Sequence, residues 1–379
     1  MGEASTQVRT EAPKTGPLQP TPRRTPRLLR AAAWLSLLGI LGTHPATAQD
    51  AEPSKDIAAS LSAQVANAEP EPLPLAEPRG SEESAATDAE ARPRKTSSRA
   101  TPAKQRRGGI NPCMTPDPGW GVHDHWSRAP SMGQMISPHK GGITKSGAFD
   151  VIIHFHGHEA VRKEFVKTPT GMVLVGIDLG IGSGAYANAF ASPGTFERLL
   201  ASIEAGMASK TGKKNAHIRK LALSAWSAGY GAIEQILRQP SGKKVDALVL
   251  LDSLHAGYAD EQTKALKSLQ IEPFVEFARS AAKGKKFMFL SHSSIIPPGY
   301  ASTTEVAEFL VKRISGKLKK SKREDVLGLD MIQRFDRNDL HVRGYTGDDK
   351  PDHCAHIGLM ADIVRVHLQP RWKTPKGRL

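Results

Sequence analysis

From Phe149 onward, short and densely apolar runs alternate with longer stretches whose apolar residues recur at helical spacing. FDVIIHFHG, GMVLVGID, HIRKLALSA, VDALVLLDS and KKFMFLSHSS each read as a strand buried on both faces, and DLHVRGYT supplies a short final one. Between them lie helical patterns. SPGTFERLLASIEAGM has Ser192 as N-cap and Pro193 as its first residue, AGYGAIEQILRQ starts near Ala228 and stops before Pro240, and Ser302 with Glu305 forms a capping box for EVAEFLVKRI. KSLQIEPFVEFARSAA is helical with Pro273 in its first turn or at a kink, and IGLMADIVRVHL closes the chain as a helix. Strands alternating with helices predict an α/β fold, a mostly parallel sheet flanked by helices on both faces. No internal repeat interrupts this pattern.

The front of the chain has none of this periodicity. Arg9, Arg23, Arg24, Arg27 and Arg30 precede an apolar run, AAAWLSLLGIL, that ends in ATA before Gln49. A basic segment, an apolar stretch too short to span a membrane and a small-residue cleavage site predict an export signal over 1–48, cleaved after Ala48. No cysteine follows the run, so a lipid anchor is excluded, and no stable membrane span is expected. Residues 49–108 are mostly Ala, Pro, Glu, Ser, Lys and Arg without an aromatic residue, the composition of a disordered linker. The remaining segment, 109–379, is long enough to fold as one domain with its own core.

Lys and Arg outnumber Asp and Glu by 52 to 38, a formal net charge of +14. That excess suggests nucleic acid, but the basic clusters KTGKKN, KGKK and KLKKSKRED fall between apolar segments, where loops and helix ends meet solvent. They carry no interleaved aromatics and no recognisable nucleic-acid module. The composition therefore predicts no nucleic-acid partner, and leaves a weak attraction to anionic cell-surface polymers. In an exported protein the two cysteines, Cys113 and Cys354, are a candidate disulfide tying the start of the domain to a loop near its end.

Chemistry concentrates at strand ends. In LALSAWSAGYGA, Ser227 follows an apolar strand and precedes a helix, and the small residues Ala225 and Gly229 flank it two positions away. That is the context of a nucleophile elbow, G-x-S-x-G, with alanine in place of the first glycine. A serine there stands beside a helix N-terminus, where the N–H of Ala228 and the helix dipole stabilise a developing oxyanion. Upstream, His156-Gly157 is a turn after a strand, and the N–H groups following it, on His158 or Glu159, are candidate oxyanion donors. Downstream, Asp252 ends the next strand, and DHCAHIGLM offers His356, with His353 as the alternative. Trp226, Tyr186 and Asn188 are candidate substrate contacts, and the segments 253–282 and 297–334 are candidate cover for the pocket.

In this order of HG turn, A-x-S-x-G elbow, acid at a strand end and late histidine, the sequence from Phe149 to the end resembles the α/β-hydrolases. The resemblance implies a secreted serine hydrolase of esterase or lipase type, acting on small or polymeric esters, less readily on amides, without metal or cofactor. It implies a triad of Ser227 as nucleophile, His356 as general base and Asp252 as orienting acid, with His156, Gly157, His158, Trp226 and Ala228 around the oxyanion or substrate.

Three rivals remain at this level. His154, His156 and His158 alternate along one strand and its turn, so they are candidate zinc ligands of a metal-dependent hydrolase, although the flanking residues do not match the metallo-β-lactamase motif. Gly180, Gly182 and Ala185 make a loose dinucleotide fingerprint that lacks its supporting acid and equally suits a mobile loop over a pocket. A surface-binding protein on a hydrolase fold, its chemistry lost, is the third.

Overall fold

The structure, a computed structural model, describes residues 112–324 and 328–379. The expected leader, 1–48, and linker, 49–108, lie outside the described residues.

Among the described residues nine strands form the central sheet: β1 (Gln134–Ile136), β2 (Ala148–Phe155), β3 (Val173–Ile177), β4 (His217–Trp226), β5 (Ala247–Leu251), β6 (Phe287–His292), β7 (Lys319–Glu324), β8 (Asp330–Arg337) and β9 (Leu340–Tyr345). Their spatial order is β1-β3-β2-β4-β5-β6-β9-β8-β7. The inner strands from β3 to β9 pair in parallel, and both margins are antiparallel. The principal helices are α1 (His158–Phe165), α2 (Ser183–Phe190), α3 (Pro193–Thr211), α4 (Tyr230–Arg238), α5 (Ser268–Ala281), α6 (Thr303–Arg313) and α7 (Lys350–Ala355). Among the described residues no helix is long and apolar enough to cross a membrane.

The continuous apolar runs are explained by what covers each face. Alternate residues of one strand enter different cores: Val151, Ile153 and Phe155 pack with Phe190 of α2, Phe196 of α3 and Ile233 of α4. Ile152, Ala222 and Val249 pack on the other face with Phe165 of α1 and with Met360, Ile363 and Val364 near the C-terminus. A strand buried on both faces has no polar side to show in its sequence.

Local signals behave as their chemistry requires. The Ser302 hydroxyl accepts from the N–H of Glu305, whose carboxylate accepts from the N–H of Ser302, a complete capping box. Pro273 lies well inside α5 rather than in its first turn. Proline has no N–H for the carbonyl of Leu269, and the Arg238 guanidinium donates to that carbonyl instead. The closing segment is not one regular helix, for 3-10, α and π turns succeed one another from His356 to Trp372.

Two segments depart from the sequence pattern. KKSKRE forms β7, an edge strand rather than a solvent loop, and Lys319, Lys320, Lys322 and Arg323 are exposed along it. Charges on a sheet edge discourage pairing with another chain. The glycine-rich stretch after β3 leads into α2 at Ser183.

Candidate active site

β4 ends at Trp226, and a 3-10 turn, Ser227–Gly229, leads directly into α4. Ser227 has φ of 50°, the left-handed region that a non-glycine residue adopts only under constraint. Its carbonyl accepts from the hydroxyl of Ser253, beyond the end of β5, at 2.9 Å. The small residues of the motif have a steric reason: a Cβ on Gly229 would stand 2.2 Å from the carbonyl oxygen of Phe155. Ala225, fully buried between neighbouring strands, fills the place of the missing glycine.

Asp252 follows β5 with φ of 47° and is buried. One carboxylate oxygen accepts from the Ser293 N–H at 2.8 Å and the Thr303 hydroxyl at 2.6 Å, and the other accepts from His353 Nδ1 at 2.6 Å. Burial pushes this carboxyl up, but the His356 and His353 imidazoles and the Thr303 hydroxyl outweigh it and hold it well below the usual carboxylate range. A carboxylate only accepts, so His353 Nδ1 carries the proton and Nε2 presents a lone pair. Ser227, Asp252 and His353 line one cleft of about 260 Å³.

This arrangement corrects the expectation for His356. That residue is fully buried, and its Nδ1 is hydrogen-bonded to the Ser291 hydroxyl at 2.9 Å. Burial lowers its pKa to about 4, against the attraction of Asp252, so it is a neutral core imidazole. His353, one helical turn earlier, takes the place beside Asp252.

The HG turn is also rearranged. Asp178, at the end of β3, accepts from the N–H groups of Gly157 at 2.6 Å and His158 at 3.3 Å, and it bonds the His158 ring. Those two donors are spent on a carboxylate rather than presented to an oxyanion, and the His156 N–H donates to the carbonyl of Ile177. The N–H of Ala228, second residue of a helical turn, has no intrahelical acceptor and is a candidate oxyanion donor.

Trp226 packs against two of the histidines around the site. Its ring stacks on His156 at 5.2 Å and lies 4.8 Å from the His353 ring, while its Nε1–H donates to the His353 carbonyl at 3.0 Å. A Cβ on Gly157, at φ of 74°, would come within 2.7 Å of the indole, so glycine is required there. Tyr186, expected to contact substrate, is fully buried with its hydroxyl bonded to His156 Nδ1 at 2.8 Å, and exposed Asn188 lines neither cleft beside Ser227.

The three-histidine metal reading does not fit this geometry. His154 commits Nδ1 to the Ser224 hydroxyl and Nε2 to the His156 carbonyl, and burial lowers its pKa to about 3. His158 pairs with Asp178, and among the described residues no group of three His, Cys, Asp or Glu side chains is placed to hold a metal ion.

A second cleft, of about 420 Å³, opens on the other side of Ser227 between Ile181, Gly182 and Ser183 and the segment His255, Ala256 and Gly257. Tyr300 and His255 border both clefts. Sequence reasoning missed His255, Thr303 and Asp178. The position of His255, three residues after the strand-end Asp252, was the one available signal for it. Cys113 and Cys354 are bonded, with Cα atoms 5.9 Å apart, which ties the residue next to His353 to the beginning of the domain.

No protein-family model and no curated protein matches the chain. Among solved structures it is similar to an uncharacterised protein from Capnocytophaga ochracea, at 10% identity and a TM-score of 0.36 over 64% of this chain and 62% of that one. It is also similar to an esterase from the planctomycete Thermogutta terrifontis, at 13% identity and a TM-score of 0.37 over 66% of this chain and 94% of that one. A poly(3-hydroxybutyrate) depolymerase from Bordetella parapertussis is similar at 11% identity and a TM-score of 0.36, over 61% and 82% of the two chains. Likenesses this distant say nothing of activity. The chain's own mostly parallel sheet, with a serine at positive φ between β4 and α4, an acid after β5 and a histidine in α7, has the arrangement that the sequence resemblance to the α/β-hydrolases implies.

Proposed function

We propose that the protein is a serine hydrolase that cleaves an ester, less readily an amide, through an acyl-enzyme. The observation that carries this reading is the hydrogen bond from His353 to buried Asp252 in a cleft shared with Ser227. In the proposed cycle His353 Nε2 takes the proton of Ser227 as Oγ attacks the substrate carbonyl. The Ala228 N–H meets the oxyanion, and the alcohol leaves with the proton from His353. Water then attacks the acyl-enzyme by the same route and releases the acid.

Export is part of the proposal, supported by the basic and apolar pattern of the leader over 1–48 and by the Cys113–Cys354 bond, which suits an oxidising compartment. The substrate is a small or polymeric ester. The lysines of β7 supply a basic strip for weak attraction to anionic cell-surface polymers.

The test is labelling with an active-site-directed fluorophosphonate together with hydrolysis of p-nitrophenyl butyrate. Wild type is expected to be labelled and active, and Ser227→Ala to lose both. A wild-type protein that is folded, unlabelled and inactive sinks the catalytic reading and favours a binding protein on a hydrolase fold.

A further inference from the structure

We infer that His255 is a specificity-determining residue whose Nε2 accepts a hydrogen bond from a substrate hydroxyl, so that the preferred substrates are hydroxylated esters. The inference rests on the serine-hydrolase reading and adds a substrate class to it.

His255 borders both clefts that meet at Ser227. Its Nδ1 lies 3.0 Å from the carbonyl oxygen of Ala301. A carbonyl only accepts, so Nδ1 carries the proton and Nε2 the lone pair. Burial lowers the pKa of His255 despite the attraction of Asp252, which keeps the ring neutral and Nε2 an acceptor at neutral pH. Among the described residues nothing donates to Nε2. His154 forms the contrast, since both of its nitrogens are bonded within the protein. His255 also differs from His353 in having no carboxylate partner, so it lacks the orienting charge of a triad base.

The ring is held in place. It lies edge to face against Tyr300 at 5.2 Å and 6.0 Å from Tyr230. The Ala301 N–H donates to the Ala256 carbonyl at 2.9 Å, fastening the His255 segment to the Tyr300 segment. The same wall carries the hydroxyls of Tyr230 and Ser183, 3.2 Å apart. A wall of imidazole and hydroxyl groups beside a half-exposed tyrosine is built for a polar ligand. A purely alkyl ester would leave the lone pair of Nε2 unpaired, and a hydroxylated one would satisfy it.

The hydroxyl can sit on either side of the scissile bond, and two pairs of esters separate the cases. p-Nitrophenyl 3-hydroxybutyrate against p-nitrophenyl butyrate reads the acyl side, and glycerol monobutyrate against propyl butyrate reads the alcohol side. Wild type is expected to favour the hydroxylated member of at least one pair by about tenfold in kcat/KM. His255→Asn keeps a donor near Nδ1 for Ala301 but withdraws the acceptor, so the preference is expected to fall to about one while the melting temperature holds. His255→Gln returns an acceptor near Nε2 and should regain part of the preference, which a merely structural role would not produce. Equal rates within both pairs for a wild type labelled at Ser227 overturn this inference alone, as does an undiminished preference in His255→Asn. Absence of labelling at Ser227 overturns it together with the proposed function.

Discussion

Asp252 is more than a partner for one histidine. His353 donates to it directly, and the His356 imidazole also acts on its charge in the interior. Of the two, only His353 lines the cleft beside Ser227; His356 is fully buried with its Nδ1 bonded to the Ser291 hydroxyl. Asp252→Asn would replace an acceptor with an amide that no longer fixes the Nδ1–H tautomer of His353. A fall of about 10⁴-fold in kcat is expected, with KM little changed, measured by steady-state hydrolysis. His353→Ala and His356→Gln separate the two histidines. The first should abolish turnover in a protein that still folds. The second should lower stability by about 1–3 kcal/mol in a urea titration while leaving kcat per folded molecule within a few-fold.

At the scale of elements, the segment that carries His353 has several ties. The Asp349 side chain caps α7 by accepting from the Asp352 N–H at 2.8 Å, and Pro351 stands in its first turn. The Trp226 indole bonds the His353 carbonyl, and Cys354 is covalently joined to Cys113 across 241 residues. Closing so long a loop restricts the unfolded chain by about 5 kcal/mol in the chain-entropy model. Reduction, or Cys113→Ser, is therefore expected to cost several kcal/mol of stability. It should also lower kcat/KM at temperatures where circular dichroism still reports a folded sheet, because α7 is freed before β2 to β6. Equal activity of oxidised and reduced protein below the melting transition would refute this role for the bond.

Across the whole molecule, buried imidazoles set the response to acid. Burial lowers the pKa of His154 to about 3, and of His292 and His356 to about 4, from an unfolded value near 6.5. Between these values the unfolded chain binds more protons than the folded one, so stability rises with pH. It is fully present above about pH 6.5, is lost as pH falls toward 4, and Asp252, also lowered, extends the loss to still lower pH. The urea midpoint should accordingly drop between pH 7 and pH 4.5, by on the order of a few kcal/mol in extrapolated stability. His154→Asn should flatten that slope, and a midpoint independent of pH over this window would contradict the burial of these rings.

The sequence by itself determined the six parallel inner strands, the turn at Ser227 and the strand-end position of Asp252, because each is written in neighbouring residues: consecutive apolar positions for strands covered on both faces, small residues around Ser227, a carboxylate at the end of β5. It also marked the start of α3 at Ser192-Pro193 and the capping box of α6. It left β1, β7 and β8 unread, since a three-residue strand and polar, charged strands at the sheet margins carry no extended apolar pattern. The choice between His353 and His356 was beyond it. The two stand one helical turn apart, so only the docking of α7 under Trp226 and the Cys113–Cys354 bond turns the first to Asp252 and buries the second. The partner of the Gly157 and His158 N–H groups was decided in the same way, by Asp178, which lies far from Gly157 in sequence yet reaches its N–H across the parallel pair β2 and β3. Local pattern fixes what a residue can form; which competing partner reaches it first in space belongs to the tertiary structure.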